Sequence, residues 1–184
     1  MPLTQLDPKS ALVVIDLQKG IVGFPLAHPV SEIVANAAAL VGAFRQKGLP
    51  VVLVNVVGGA PGRTDVGAHT GAFPPDWADL IPELDVQPSD ILISKGTLGA
   101  FHGTALDMRL RRAGVTQVVL VGIATSIGVE GTARAAHEHG YNVTLVKDAM
   151  TDLSAEAHHR SVSIVFPHIG EIADTKDVLA KLGQ

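Results

Sequence analysis

The sequence predicts an α/β fold in which a sheet of parallel strands is covered by helices on both faces. Short runs of β-branched residues alternate along the chain with segments of helical periodicity. These runs are apolar almost throughout, as in strands that are buried on both faces. The chain has 184 residues, and at roughly 150 residues per domain this corresponds to one domain, residues 1–184.

The predicted elements follow this alternation. The predicted strands are Ala11–Asp16, Val51–Val57, Ile91–Ser94, Gln117–Gly122, Asn142–Lys147 and a short sixth strand near Gly170–Ala173. The predicted helices are Ser31–Lys47, Thr104–Arg112, Gly128–His139, Ser154–Phe166 and Asp174–Leu182. We expect the strand order 3-2-1-4-5-6 of doubly wound sheets.

Composition and charge exclude several classes of protein. Hydrophobic residues make up 47 % of the chain and charged residues 17 %, which is too apolar for a disordered chain. The formal net charge of −4 at pH 7 argues against a basic nucleic-acid-binding face. No apolar run approaches the roughly 18 residues that a membrane helix requires. We therefore expect a small-molecule ligand, and neither nucleic acid nor a membrane as a partner.

The chain contains no cysteine. This removes disulfides, thiolate metal sites and thiol nucleophiles, and it is compatible with a reducing cytoplasm. The first ten residues do not follow the pattern of a signal peptide, so a cytoplasmic location is expected. Low charge favours a homodimer or homotetramer, as do the small residues of one predicted helix: Gly131, Ala133, Ala135 and Ala136.

Two charged residues mark the expected ligand site, because ligands of such sheets bind at the carboxyl ends of the strands. Asp16 and Lys95 both stand where an apolar strand ends. Considered alone, Asp16 could cap a helix or loop, and Lys95 could be an ordinary surface lysine. At one sheet edge, each charge would offset the cost of burying the other. The segment 58–89 is long, rich in Gly and Pro, and contains the only tryptophan, Trp77; long loops in compact domains are usually functional.

Ser126 offers a different interpretation. It lies in the sequence Ala-Thr-Ser-Ile-Gly, which differs at one position from a Gly-x-Ser-x-Gly nucleophile elbow. Downstream, either Asp148 or Asp152 and then His158, His159 or His168 follow in the order of a Ser-Asp-His triad. A serine that caps a helix is the preferred interpretation, because nothing upstream resembles an oxyanion loop. Histidines two apart or adjacent on a helix point to different faces, so neither a metal nor another cofactor is expected.

Several motifs in order resemble the isochorismatase-like hydrolases over about residues 10–182. The matching segments are Val13–Gln18, Lys95 followed by Gly99–Thr104, Gly122–Val129 followed by Thr132–Arg134, and Gly140–Tyr141 with Val146–Ala149. The resemblance implies a six-stranded parallel sheet with helices on both faces. It also implies a non-proline cis peptide at Ile123–Ala124.

The resemblance assigns catalytic positions. Asp16 corresponds to the family's catalytic aspartate and Lys95 to its catalytic lysine. Gly128 occupies the position of the nucleophilic cysteine of the amidase members, and no other thiol exists in the chain. The Asp-x-His…His metal motif of nicotinamidases is also missing after the second strand. The resemblance therefore excludes cysteine-dependent amide hydrolysis and its metal.

Isochorismatases, which also lack the cysteine, cleave a vinyl ether. An acid must protonate the methylene carbon, and water then captures the oxocarbenium ion. Asp16 is the candidate acid and Lys95 the candidate holder of the substrate's negative charge. Isochorismate is a dicarboxylate, so a second cation is expected, for which Arg63 is the candidate. The remaining candidate substrate-binding residues are Gln18, Phe24, Trp77, Phe101, Ile123, Ala124, Ser126 and Ile127.

Two alternatives stay open. A member that lost its nucleophile could bind a small molecule without turning it over. A serine hydrolase could use Ser126.

Overall fold

The sheet has six parallel strands in the order 3-2-1-4-5-6, as predicted. A computed structural model describes residues 3–67 and 72–183. The strands are β1 (Ser10–Ile15), β2 (Val51–Val56), β3 (Ile91–Lys95), β4 (Gln117–Ile123), β5 (Asn142–Thr151) and β6 (Glu171–Ala173). The helices are α1 (Lys19–Val22), α2 (Val30–Gln46), α3 (Leu106–Arg112), α4 (Glu130–Glu138), α5 (Ala155–Arg160) and α6 (Thr175–Gly183). In this described part of the chain, no helix is long and apolar enough to cross a membrane.

Two apolar clusters, one on each face of the sheet, form the core. Successive residues of β1 point to opposite faces, so Val13 packs in one cluster and Leu12 in the other. The first cluster includes residues of α3 and α4, and the second includes residues of α2 and α6. All six residues of β1 are buried, which explains why this strand is apolar on both sides.

β5 is longer than predicted, because it continues past Lys147 to Thr151. Its pairing with β4 shifts register: Leu120 faces Leu145, but Gly122 faces Met150. Gly122 has a φ of 118°, and a Cβ there would lie 2.0 Å from the carbonyl oxygen of Ile15. The close approach of β4 to β1 at this point therefore requires a glycine.

Three predicted helices have different bounds. The helix predicted from Gly128 is preceded by a π-helical turn, Thr125–Val129, and α4 begins only after it. The predicted helix Ser154–Phe166 is divided into α5, a π-helical turn and a short 3-10 turn that contains Pro167; proline has no N–H to continue a helix. α3 begins at Leu106, whose N–H donates to the hydroxyl of Thr104.

The long segment between β2 and β3 is fixed to α1, a short helix that sequence patterns missed. Gln18 and Leu80 form an isolated antiparallel bridge, and Lys19 lies 3.2 Å from a carboxylate oxygen of Asp79. Trp77 packs so closely on Gly20 that a Cβ there would lie 2.0 Å from its ring. These contacts hold the second half of the segment in place; residues 68–71 lie outside the described ranges.

Candidate active site

Asp16 and Lys95 form a buried ion pair at the carboxyl edge of the sheet. Lys95 Nζ lies 2.7 Å from Asp16 Oδ2, and the two residues are 5 % and 3 % exposed. β2 separates their strands in the sheet, so the long lysine side chain crosses a whole strand to reach the carboxylate. Lys95 Nζ also donates to the carbonyl oxygen of Thr97 at 3.2 Å.

The carboxyl group of Asp16 has two different oxygens. Oδ2 accepts the hydrogen bond from Lys95, whereas Oδ1 is buried and has no hydrogen-bond partner. Burial raises the pKa of Asp16 from its ordinary value of 3.8 to about 6, against the lowering effect of Lys95. Asp16 can therefore carry a proton under mildly acidic conditions, and Oδ1 is the oxygen left free to hold it.

Gly128 lies directly against this carboxyl group. It belongs to the π-helical turn Thr125–Val129, which follows β4 and the cis peptide Ile123–Ala124 that the resemblance implied. A Cβ at position 128 would lie 3.3 Å from Asp16 Oδ2 and 3.0 Å from Ile15 Cγ2. The glycine thus leaves open the space beside Asp16 that a side chain would fill.

A cavity of about 220 Å³ opens above the ion pair. Its walls are mainly apolar and come from the strand ends, α1, the segment after β2, the segment after β3 and the π-helical turn. The lining residues are Asp16, Ile21, Phe24, Val56, Gly58, Gly59, Lys95, Thr97, Leu98, Ile123, Ala124, Ile127, Gly128 and Leu153. Other surface depressions exist elsewhere, but this one contains the ion pair and follows the topological switch between β1 and β4.

Thr132 connects two of the cavity walls. Its buried hydroxyl accepts from the N–H of Ala100 at 3.0 Å and donates to the carbonyl oxygen of Gly128 at 2.6 Å. Gly99 and Gly131 pack against each other beside this bond, where a Cβ on Gly99 would lie 3.0 Å from the Gly131 backbone. The segment that follows Lys95 is therefore fixed to the turn that carries Gly128.

A cluster of histidines and threonines supports the other side of the π-helical turn. His158 Nδ1 lies 2.8 Å from Thr125 Oγ1, and its ring contacts that of His28 at 4.6 Å. Burial, together with the charge of His28, lowers the pKa of His158. Asp152 accepts the backbone N–H of Ser126 at 2.7 Å. The triad order read from the sequence is thus not assembled around the Ser126 hydroxyl: His158 pairs with Thr125, and Asp152 binds backbone.

Comparisons with known proteins identify the family. The family model for the isochorismatase domain matches residues 10–177. This chain belongs to the isochorismatase family. Its relatives include the uncharacterized isochorismatase family protein YwoC of Bacillus subtilis, 43 % identical over 95 % of this chain and 94 % of that protein. YecD of Escherichia coli O157:H7, also an uncharacterized member, is 39 % identical over 98 % of this chain and 100 % of its own length.

A solved structure shows the same fold. The isochorismatase family protein of Burkholderia thailandensis superposes with a TM-score of 0.93, at 42 % identity and with 98 % of each chain covered. The present chain is a member of this hydrolase family without any cysteine. Among residues 3–67 and 72–183, no three potential ligand side chains group as a metal site would require.

Seven of the candidate residues named from the sequence line the cavity. These are Asp16, Phe24, Lys95, Ile123, Ala124, Ile127 and Gly128. Five candidate substrate-binding residues do not line it: Gln18, Arg63, Trp77, Phe101 and Ser126. Gln18 is fully buried. Its side chain donates to the carbonyl oxygen of Val56 and accepts from the N–H of Val56, so it supports the strand end beneath the cavity.

The other four candidates outside the cavity wall lie in different surroundings. Trp77 covers Gly20 and stacks on Phe73, and Phe101 is buried in the core, where it contacts Tyr141. Ser126 is fixed through its backbone to Asp152, and Arg63 is exposed on the long loop. An aromatic or basic residue type by itself does not show on which side of a strand or loop it will lie.

Seven lining residues were missing from the sequence-based set. They are Ile21, Val56, Gly58, Gly59, Thr97, Leu98 and Leu153. Two glycine-rich turns, at 58–59 and 96–99, gave a signal, because such turns commonly shape ligand sites. Ile21 and Leu153 gave none, since an apolar side chain in a cavity wall looks the same in sequence as one in the core.

Proposed function

We propose that this protein is a thiol-independent hydrolase that cleaves an acid-labile bond of a small molecule, with Asp16 as the general acid. The vinyl ether of a small carboxylate, such as isochorismate, is the candidate bond. The observation that carries the proposal is the protonatable, buried Asp16, with its free Oδ1, in a cavity beside the space left by Gly128. A general acid is most useful when its pKa lies near the working pH.

The reaction balances with water as the only co-reactant. Asp16 transfers its proton to the terminal methylene carbon, and the electrons of the double bond form the new C–H bond. Water adds to the resulting oxocarbenium carbon and returns one proton to Asp16. The hemiketal then breaks its bond to the former ether oxygen, which leaves as an alcohol with the second proton of water, and a ketone remains. Lys95, 2.7 Å from Asp16, stabilises the carboxylate that exists between the two proton transfers.

Isotope labelling tests this reaction. Isochorismate and simple 2-alkoxyacrylates are incubated in D₂O, and the keto acid product is examined by mass spectrometry and NMR. We expect one deuterium in the product methyl group and a loss of at least about 100-fold in turnover in Asp16→Asn. Because Asp16 must be protonated, kcat/KM should fall as the pH rises past about 6.

A non-catalytic binding protein is the second candidate, favoured by the lack of any nucleophile at Gly128. In that case both the wild type and Asp16→Asn would bind vinyl ethers without turnover. This result would contradict the proposed hydrolase. Labelling of Ser126 by a fluorophosphonate would contradict the proposed mechanism and would favour a serine hydrolase.

A further inference from the structure

The net charge of the cavity depends on the protonation state of Asp16. Among the described residues that line it, Asp16 and Lys95 are the charged ones. When Asp16 is ionised the pair is neutral, and when Asp16 is protonated the cavity contains one unpaired positive charge. Arg63, the expected second cation, is exposed and does not line the cavity.

Lys95 is also the one strong anion-binding group of these walls. Of its three N–H donors, one goes to Asp16 and one to the carbonyl oxygen of Thr97, which leaves the third for a ligand. The hydroxyl of Thr97 is bonded to the carbonyl oxygen of Gly99. The other lining side chains are apolar or absent.

We propose that this site selects small molecules with a single anionic group on an apolar body, and that their binding draws a proton onto Asp16. The proposal rests on the proposed function, since it names the substrate class of the same site: among vinyl ethers it favours monoanionic 2-alkoxyacrylates over the dicarboxylate isochorismate. The volume of about 220 Å³ lies below the roughly 300–1,000 Å³ of common ligand pockets, so the ligand is small.

The reason is charge balance in a poorly solvated space. A monoanion that approaches Lys95 replaces the Asp16 carboxylate as its counter-ion, and two like charges beside one ammonium favour protonation of Asp16. A dianion would leave its second charge without a partner among apolar walls, which is costly. A neutral ligand would leave the ion pair intact and Asp16 without its proton. The substrate's own charge therefore converts Asp16 to the acid form that the reaction needs.

The titrating group is identified by its surroundings. Lys95 on β3 faces Asp16, whereas the lining residues from α1, β2, β4 and the π-helical turn include no other titratable side chain. Proton uptake on ligand binding can thus be attributed to Asp16 within the described part of the site.

Calorimetry with three matched probes tests the proposal: benzoate, benzene-1,3-dicarboxylate and benzamide. Titrations at about pH 7.5, in two buffers of different ionisation enthalpy, measure the protons taken up. We expect close to one proton taken up per benzoate bound, and at least tenfold weaker binding of the other two probes. Asp16→Asn, which resembles the protonated form, should bind benzoate about 30-fold more tightly than the wild type at that pH, because only a few per cent of wild-type Asp16 is protonated there.

The controls separate this proposal from the proposed reaction. Near pH 5 the wild type and Asp16→Asn should bind benzoate with similar Kd. Lys95→Met should abolish benzoate binding, whereas Lys176→Met, at an exposed lysine of α6, should not. Benzoate binding without proton uptake, equal Kd in both proteins at pH 7.5, tighter binding of the dicarboxylate, or no benzoate binding would each overturn the proposal. Asp16→Asn cannot act as the acid, so its binding data stand whether or not the wild type turns over vinyl ethers.

Discussion

Asp16 is held in a conformation and an environment that both cost free energy. Its φ of 51° lies in the left-handed region, which non-glycine residues seldom adopt, and its side chain is nearly out of contact with solvent. Lys95 offsets part of the cost of burying the carboxylate, but burial has the larger effect on its pKa. Such conflicts between stability and local chemistry are typical of functional sites.

The free energy of unfolding should depend on pH because of the raised pKa of Asp16. The pKa of Asp16 is about 6 in the folded chain against an ordinary 3.8, so the folded state binds the proton more tightly between these values. This contribution to stability is complete below the ordinary pKa and is lost as the pH rises through about 6. We expect the free energy of unfolding of the wild type, minus that of Asp16→Asn, to fall by about 2–3 kcal/mol from pH 4 to pH 7. Chemical denaturation of both proteins at several pH values measures this difference. If the difference does not change with pH, the pKa of Asp16 is not raised in the folded chain.

Gly128 should not tolerate a methyl group without a functional loss. The Cβ of Gly128→Ala would press on Ile15 and lie 3.3 Å from Asp16 Oδ2, in the open space beside the proposed general acid. We expect kcat/KM to fall at least about tenfold and stability to fall by about 1 kcal/mol. Gly42→Ala in α2 is the matched control, because a Cβ there meets nothing within 4 Å. It should leave activity unchanged and stabilise the helix by up to about 1 kcal/mol.

At the scale of elements, the cavity is formed by turns that are bonded to one another. The π-helical turn Thr125–Val129 is attached to the segment after β3 through Thr132, and to the end of β5 through Asp152. Phe24, which follows α1, lines the cavity beside it, and Trp77 packs on Gly20 of α1. The position of Gly128 in this turn therefore depends on contacts made by several elements.

Thr132 provides the test of this coupling. Thr132→Val removes a buried hydroxyl and leaves the N–H of Ala100 and the carbonyl oxygen of Gly128 without that partner, at an expected cost of about 1–3 kcal/mol. Because both cavity walls would shift, kcat should fall as well. Thr132→Ser keeps the hydroxyl and should restore most of kcat, which a general loss of packing would not predict. Denaturation and steady-state kinetics of both variants separate the two explanations.

At the scale of the whole molecule, the mouth of the cavity carries exposed apolar side chains. Phe24, Leu98, Ile127 and Leu153 all line the cavity and are substantially exposed. Two of the small residues of α4, Ala133 and Ala136, are buried in the core of the same chain and cannot contact a partner. The prediction of an oligomer thus depends on the apolar mouth and the low charge of the surface.

We expect a homodimer or homotetramer whose interface includes this mouth. Light scattering at micromolar concentration should give a multiple of the 19.1 kDa chain mass. Leu98→Asp together with Leu153→Asp should lower that mass, whereas Met108→Asp, at an exposed position of α3, should not. A wild-type mass near that of one chain would refute the prediction.

The fold class, the strand order and the two charged residues of the candidate site could all be predicted from the amino-acid sequence. Apolar β-branched runs report strands buried on both faces, and parallel strands place their carboxyl ends at one edge. Asp16 and Lys95 were identifiable because a charge at the end of such a run is expensive unless it is paired. The absence of cysteine, read directly from the chain, excluded a thiol nucleophile.

The other residues that line the cavity could not be predicted, because their placement depends on long-range contacts. Gln18, Trp77 and Phe101 have suitable residue types, but long-range contacts direct them into bonds and packing elsewhere. The pKa of Asp16 also depends on burial by elements distant in sequence, as does the free state of its Oδ1. Local pattern predicts where a strand or helix lies, because backbone preference is local. The direction of a loop side chain and the solvation of a carboxylate are set by neighbours that only folding brings together.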